Sequence, residues 1–443
     1  MRHIVIIGFE SAGLTAASAA HMVDRTAEIT VIERRPYAIY HPCGIPYAIG
    51  GEIENIQKLI EPTSMLPNVD VRTSTEATAI DINKKTVEVR SPKTGGRETL
   101  GYDSLILATG GYAFKLPVPG IELEGVHAVR TVEDGQAIIE ALEGTKNAIV
   151  VGAGPIGIET SVALRKRGLN VSVVEMLPSV LPGMLDPDMA DPLTKRLRDK
   201  GIQVLCGKPL KEIRGERNVK SVVAGEEELP AELVITAVGV KPEVKLAKEA
   251  GIELGETGGI KVDDHLHTSA SDVYAAGDCA ENFCPITKRP VLSQLATTAI
   301  RMGWVVGANA AGGDATYPGT LNTAVTCAYG LVVASTGLTT QVAEKAGFAP
   351  ISARTRVMSR PRYYPGAEPI IIKLLAKSDG HNIIGGQVLG TEGAAERANL
   401  LALAIQRGMT VKELAKIDYC YAPPVSDSIE PLVVAAKAML RRL

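Results

Sequence analysis

The strongest constraint on this chain is a module that occurs twice. Ile4-Val5-Ile6-Ile7 is a short apolar run. It is followed by Gly8-Phe9-Glu10-Ser11-Ala12-Gly13, an Ala-rich stretch from Leu14 to Met22, and a second apolar run from Glu28 that ends in the acid Glu33. The same order returns later. Ala148-Ile149-Val150-Val151 leads into Gly152-Ala153-Gly154-Pro155-Ile156-Gly157, then a helical stretch to about Arg167, then Asn170 to Glu175, again ending in an acid. Short apolar runs alternating with longer helical stretches predict βαβ units and parallel strands. A chain with two such units is expected to be α/β, with two doubly wound domains.

The residue types at the turns carry chemistry. In a strand–turn–helix of this kind the first Gly permits the tight turn, the second lets backbone approach a pyrophosphate, and the third lets helix and strand pack closely. The pyrophosphate sits on the helix N-terminus, where free N–H groups and the dipole favour an anion. The terminal acid hydrogen-bonds a ribose. The second copy meets every requirement through Gly152, Gly154 and Gly157, with Pro155 and Ile156 opening the helix. The first copy has Gly8, Ser11, Ala12 and Gly13 in place, but Glu10 replaces the middle Gly. A carboxylate there repels a pyrophosphate unless it points away, and the plainer reading is a structural turn. The strand before, the helix after and the acid at Glu33 argue for a second dinucleotide site. Glu175 favours NADH over NADPH, whose 2′-phosphate calls for an arginine instead. The plainer alternative for Glu175 is an acid that caps a strand end.

Three further runs end in small residues: Tyr102 to Ala108-Thr109-Gly110, Leu233 to Gly239, and Asp272 to Gly277-Asp278. Small residues there let backbone approach a flat ligand, and Asp278 can hydrogen-bond a sugar-like hydroxyl. Each is equally readable as an ordinary strand end.

Composition excludes several classes. The 443 residues carry 47 Lys+Arg against 50 Asp+Glu, a formal net charge of −3, which argues against a nucleic-acid partner. Six cysteines are too few for a disulfide scaffold in so long a chain, and the absence of a CxxC pair gives no support for a metal site. No apolar run reaches the ~18 residues of a membrane span. The start, Met1-Arg2-His3, lacks the features of a signal peptide. A cytoplasmic protein with reduced thiols and no membrane association is the expectation.

Taken in this order, the motifs resemble the FAD-dependent pyridine nucleotide–disulfide oxidoreductases along essentially the whole chain. The resemblance implies that the first unit binds the ADP half of FAD, with Glu33 and Arg34 at its adenosine. It implies that Ala108, Thr109, Gly110, Gly277 and Asp278 also line the FAD. Leu295, Ala296 and Thr297 look like the helix start that offers backbone N–H groups to the flavin ring. The second unit, with Gly239, would take NADH. The implied domains are residues 1–112 and 248–322 for FAD, 113–247 for NAD(H), and 323–443 for an α+β dimerisation domain that makes a homodimer. In that last domain antiparallel strands are expected from Glu368 to Lys377 and from Asn382 to Gly390.

The branch follows from Cys43, in Ile39-Tyr40-His41-Pro42-Cys43-Gly44-Ile45-Pro46-Tyr47. Two-cysteine members of the family pair cysteines five positions apart, but Ala38 and Ala48 stand at those places. The stretch resembles the single-cysteine branch: CoA-disulfide reductases, persulfide and polysulfide reductases, NADH oxidases and NADH peroxidases. Pro42 is suited to start a helix with Cys43 near its positive end, a setting that lowers a thiol pKa. Such a thiolate can form a mixed disulfide or persulfide with a substrate, or pass through a sulfenic acid with oxygen species. The plainer reading of any single Cys is a small buried hydrophobe. Cys206 and Cys279 read as packing, Cys284 and Cys327 have no partner at metal-ligand spacing, and Cys420 lies between two tyrosines.

Within the branch, oxidases and peroxidases usually carry a His where this chain has Ser11. CoA-disulfide reductases lack it and often replace the middle Gly, as Glu10 does. The segments Tyr363-Tyr364-Pro365-Gly366 and Tyr421-Ala422-Pro423-Pro424 resemble those whose tyrosines reach across the dimer towards the cysteine, which makes Tyr363 and Tyr421 the expected partners of Cys43. Pro42 and Ile39 depart from the CoA-contact pattern, so CoA is a candidate ligand and no more. The leading expectation is an NADH-dependent reductase of a low-molecular-weight disulfide, persulfide or polysulfide. The alternatives are an NADH oxidase using O₂, and an electron-transfer or redox-sensing flavoprotein acting on a protein partner.

Overall fold

Four successive apolar residues, Ile4 to Ile7, are stable as a strand only where both faces are covered. The computed structural model, which describes residues 1–61, 68–91 and 95–442, places them in the centre of a five-stranded sheet. Its order is Val273–Ala275, Ser104–Leu107, His3–Ile7, Glu28–Ile32, Val69–Arg72, and every pair is parallel. The helix Ser11–Val23 makes the crossover between the third and fourth of these strands. This sheet belongs to a first compact unit formed by Met1–Gly44, Asn55–Phe114 and Val240–Thr320.

A second helix, Ala296–Ala310, packs on Ser11–Val23 along a seam of small residues. A Cβ added to Gly303 would stand 2.6 Å from the Ala12 carbonyl oxygen, and one added to Gly307 would stand 2.2 Å from that of Ala16. The backbones therefore touch. Cys279 is buried beside the central sheet. Its Sγ contacts the carbonyl oxygens of Leu107 and Ala276 at 3.4 and 3.3 Å, and burial pushes its thiol pKa up. It is a packing residue, as its sequence setting suggests.

The second unit comprises Ile45–Glu54, Lys115–Gly239 and Leu321–Leu443. It repeats the parallel arrangement in the order Val126–Ala128, Leu233–Thr236, Asn147–Val151, Asn170–Glu175, Ile202–Cys206. The same unit holds a five-stranded sheet in which Ala324–Ala328, Leu331–Gly337, Ile383–Gly390, Pro369–Lys377 and Pro350–Met358 pair antiparallel. The helix Ala394–Gln406 lies on this sheet, so close that a Cβ on Gly386 would meet Leu401 Cδ1 at 2.5 Å. The expected class holds: two doubly wound nucleotide folds and a C-terminal α+β layer.

Buried charge pins the second unit together. Lys373, in the antiparallel sheet, reaches Asp186 at 2.9 Å and Asp188 at 2.6 Å. Asp186 also accepts from the Thr340 N–H and hydroxyl at 2.9 and 2.7 Å. Arg397 pairs with Glu430 at 2.6 Å between helices.

One local expectation changes. Pro42 opens a three-residue 3-10 turn, Pro42–Gly44, and the α-helix begins only at Ile45, running Ile45–Gly50. Among the described residues, no helix is long and apolar enough to cross a membrane.

Candidate active site

The first Gly turn is built for close approach. Gly8 has φ of +97°, and a Cβ there would fall 2.2 Å from the Ala108 carbonyl oxygen. Gly13 packs against Gly8, with a hypothetical Cβ 2.0 Å from the Gly8 oxygen. Gly277 lies against Ala12, since its Cβ would be 3.0 Å from the Ala12 methyl. The turn thus brings Gly8, Ala12, Gly13, Ala108 and Gly277 together, with Asp278 next in the 3-10 turn Gly277–Cys279. Thr109 is tied down by its hydroxyl, which donates to the Glu243 carbonyl at 2.6 Å.

Neither helix that starts here has a side-chain cap. Glu10 is the N-cap of Ser11–Val23 in extended backbone and makes no capping hydrogen bond, and Leu295 stands likewise before Ala296–Ala310. With no side-chain cap, the first N–H groups of both helices stay available, which suits a dinucleotide phosphate and a flavin carbonyl. Ala296 and Thr297 are exposed.

Glu33 is almost fully buried and is more heavily engaged than expected. Its Oε2 accepts from the Phe9 N–H at 3.0 Å and Arg35 Nη2 at 2.7 Å. Its Oε1 accepts from the Arg35 N–H at 2.9 Å and Arg35 Nε at 2.8 Å. Four donors fill a carboxylate's four acceptor positions. Arg35 also lies over the Tyr40 ring, 4.4 Å from its centroid. Burial works against the charge on Arg35, but the hydrogen bonds and charge of Glu33, with Tyr40 and Glu10 nearby, hold its pKa above the ordinary range. Arg34, in contrast, is exposed.

The second turn repeats the geometry without the crowding. Gly152 has φ of +100°, and a Cβ there would fall 2.4 Å from the Ala237 oxygen. Gly157 packs on Gly152. Gly154 and Gly239 would each carry a Cβ into open space. Pro155 opens the helix Pro155–Lys166 with no side-chain cap, and Ile156 is exposed beside it. Glu175 accepts from the Ala153 N–H through Oε2 and from the Leu177 N–H through Oε1, both at 2.8 Å. One acceptor position remains on each oxygen, a match for the paired hydroxyls of a ribose.

Cys43 and Cys420 are exposed thiols. Tyr363 and Tyr421 come together from segments far apart in sequence, with hydroxyl oxygens 3.2 Å apart. The hydrogen bond shared with Tyr363, with some burial and nearby charge, pushes the Tyr421 phenol up. Tyr419 turns elsewhere and donates to the Ser428 carbonyl at 3.4 Å.

Glu159 is the residue the sequence reading missed. It lies one turn into Pro155–Lys166, where an acid ordinarily marks a solvated face. Here burial pushes its pKa up, against hydrogen bonds from Thr326 and Tyr47. Its apolar neighbours Ile156, Ile158 and Val162 were the available signal.

Two uncapped Gly turns, each closed by a buried acid, make a scaffold for two dinucleotides. A sequence profile described as pyridine nucleotide-disulphide oxidoreductase matches residues 2–303, and the dimerisation domain of that group matches residues 323–433. The chain belongs to the pyridine nucleotide-disulphide oxidoreductases, a family that uses FAD and NAD(P)H. It is 41% identical to a protein of Methanocaldococcus jannaschii named NADH oxidase, over 99% of each chain. It is 34% identical to an NAD(P)H coenzyme A polysulfide/persulfide reductase of Pyrococcus horikoshii, over 99% of this chain and 98% of the other. The structure of an NAD-dependent persulfide reductase from A. fulgidus matches with a TM-score of 0.96 and 37% identity, over 99% of this chain and 83% of that one.

Proposed function

We propose that the chain reduces a low-molecular-weight disulfide, persulfide or polysulfide with NADH, as a homodimer with Cys43 as the working thiol. The observation that carries this reading is the tyrosine pair, Tyr363 and Tyr421, both largely exposed at 74% and 47% and hydrogen-bonded to each other. An exposed pair of neutral phenols suits a partner subunit's thiol chemistry better than it suits O₂. The names of the Pyrococcus and A. fulgidus relatives support the same substrate class.

The turn at Gly8 to Gly13 and Asp278 would hold FAD, which when bound would supply the passage of an electron pair from NADH to the cysteine, while Glu33, its acceptor positions filled, would hold the turn and Arg35 in place. The turn at Gly152 to Gly157 takes the pyrophosphate of NADH, and Glu175 holds its adenosine ribose. The Cys43 thiolate attacks one sulfur of the substrate, forming a Cys43–sulfur bond and breaking the substrate S–S bond. The departing thiolate is stabilised by a hydrogen bond from Tyr421 or Tyr363 and takes its proton from solvent. The two electrons that NADH supplies then cleave the Cys43 mixed disulfide or persulfide, the bound sulfur leaves as a thiol or hydrogen sulfide with a proton from solvent, and the thiolate is restored.

Stopped-flow reduction with NADH tests this. A long-wavelength thiolate-to-flavin band is expected, and its survival in Cys43→Ser would overturn the assignment. A second reading, an NADH oxidase, has the name of the Methanocaldococcus relative in its favour. Ser11 in place of the oxidase His weighs against it. NADH turnover in air, set beside anaerobic turnover on CoA disulfide or polysulfide, separates the two. Faster turnover in air would favour the oxidase.

A further inference from the structure

The chain passes from its first compact unit to its second between Gly44 and Ile45, immediately after the Cys43 turn. Within the second unit the short helix Ile45–Gly50 lies on Pro155–Lys166, the helix that opens at the second Gly turn. The contact is fastened along its length. The Tyr47 hydroxyl is hydrogen-bonded to the Glu159 carboxyl. A Cβ on Gly50 would meet the Ala163 methyl at 3.3 Å. Arg167 Nε donates to the Ile49 carbonyl at 2.7 Å, and Lys166 pairs with Glu52 at 2.6 Å. On the other side of Glu159, the Thr326 hydroxyl donates to Oε1 at 2.7 Å.

These contacts are unequal. The Lys166–Glu52 pair is exposed and contributes little to rigidity. The Glu159 contact is shielded and bonded from two sides, so its geometry is fixed. Glu159 sits four residues after Pro155, in the same rigid helix as the turn. Tyr47 sits four residues after Cys43.

We propose that Tyr47 and Glu159 are positioning residues that couple occupancy of the turn at Gly152–Gly157 to the reactivity of Cys43. A dinucleotide drawn onto the helix N-terminus shifts the helix. The Tyr47–Glu159 hydrogen bond carries that shift to Ile45–Gly50 and hence along the chain to the cysteine. The coupling is reciprocal, so the state of the thiol alters nucleotide affinity by the same factor. The inference rests on reading Cys43 as the redox thiol and the second turn as the NADH site.

The test uses FAD-loaded enzyme and iodoacetamide, with alkylation of Cys43 followed by peptide mass spectrometry with and without saturating NAD⁺. In the wild type, NAD⁺ is expected to change the Cys43 alkylation rate about 5-fold or more. In Tyr47→Phe and Glu159→Gln the change should fall below about 2-fold. NAD⁺ binding, read from flavin fluorescence, should persist in both. Glu52→Gln, which breaks only the exposed pair, should keep the wild-type response. Should Glu159→Gln fail to fold, Tyr47→Phe carries the test alone, since it deletes one hydroxyl and keeps the ring. No NAD⁺ effect in the wild type, or an undiminished effect in the variants, would overturn the proposal. Simple shielding of the thiol by nucleotide gives the second of these results. Turnover surviving in Cys43→Ser would overturn the functional reading instead, and leaves the alkylation result to be judged separately.

Discussion

Arg35 grips Glu33 with three of the four hydrogen bonds that the buried carboxylate accepts, while Phe9 in the first Gly turn supplies the fourth. One acid therefore holds both a loop and a cation. Glu33→Gln still offers an oxygen to the Phe9 N–H but strands the Arg35 charge. The expected outcome is a loss of about 3 kcal/mol of stability, the scale of a broken buried pair. Flavin retained per chain after gel filtration should fall by more than half, read from the 450 nm absorbance.

Glu175 uses one acceptor position on each oxygen for its own turn and leaves one on each for ligand. Glu175→Gln removes the charge. A hydrogen bond to a charged group is worth about 1.5–3 kcal/mol, so the preference for NADH over NADPH should fall about 10-fold or more. The ratio of kcat/KM for the two nucleotides measures it. An unchanged ratio would assign Glu175 to the loop alone.

Tyr421→Phe should slow anaerobic turnover on CoA disulfide or polysulfide about 10-fold and leave turnover in air unaffected. The wild-type phenol is pushed above its ordinary value of 10.0. Being the protonated form, it stays available from neutral pH upward and is lost only above about pH 10. The difference between wild type and variant should therefore be flat through neutral pH and close only in strong alkali.

Asp186 gives an acid-side prediction. Burial disfavours its charge, but the Thr340 hydroxyl and N–H and the Lys373 ammonium more than compensate and hold its pKa below the ordinary 3.8. A carboxylate depressed in the folded state stabilises above its unfolded pKa and loses that contribution as pH falls through its folded one. Asp186→Asn should cost about 3 kcal/mol near neutral pH, and the gap in melting temperature should close progressively below about pH 4. A constant gap across that range would exclude the ion pair as its source.

The elements that follow from local pattern were legible in advance. The Gly turns, the two runs ending in Glu33 and Glu175, and the late pair of antiparallel strands emerge within a residue or two of their expected places, because each is set by neighbours in sequence. The features that escaped depend on distant residues. Nothing near Glu159 announces that Tyr47 and Thr326 will close around it. Nothing near Asp186 announces that Lys373 will arrive from the antiparallel sheet. Nothing beside Arg35 in the sequence separates it from Arg34; the difference comes from Glu33 and the Tyr40 ring, which face Arg35. The helix anticipated at Pro42 failed for a local reason: three residues close into a tight 3-10 turn first, and the α-helix waits for Ile45.

The seam between Ser11–Val23 and Ala296–Ala310 limits how this protein can change. At positions 303 and 307 a single methyl group would collide with the backbone of the opposing helix. The opposing helix is the one whose first turn begins at Ser11, so such a collision would be felt where a phosphate docks. Substitutions there should damage flavin uptake without altering any residue that touches flavin. A library randomised at these two positions should return glycine at both.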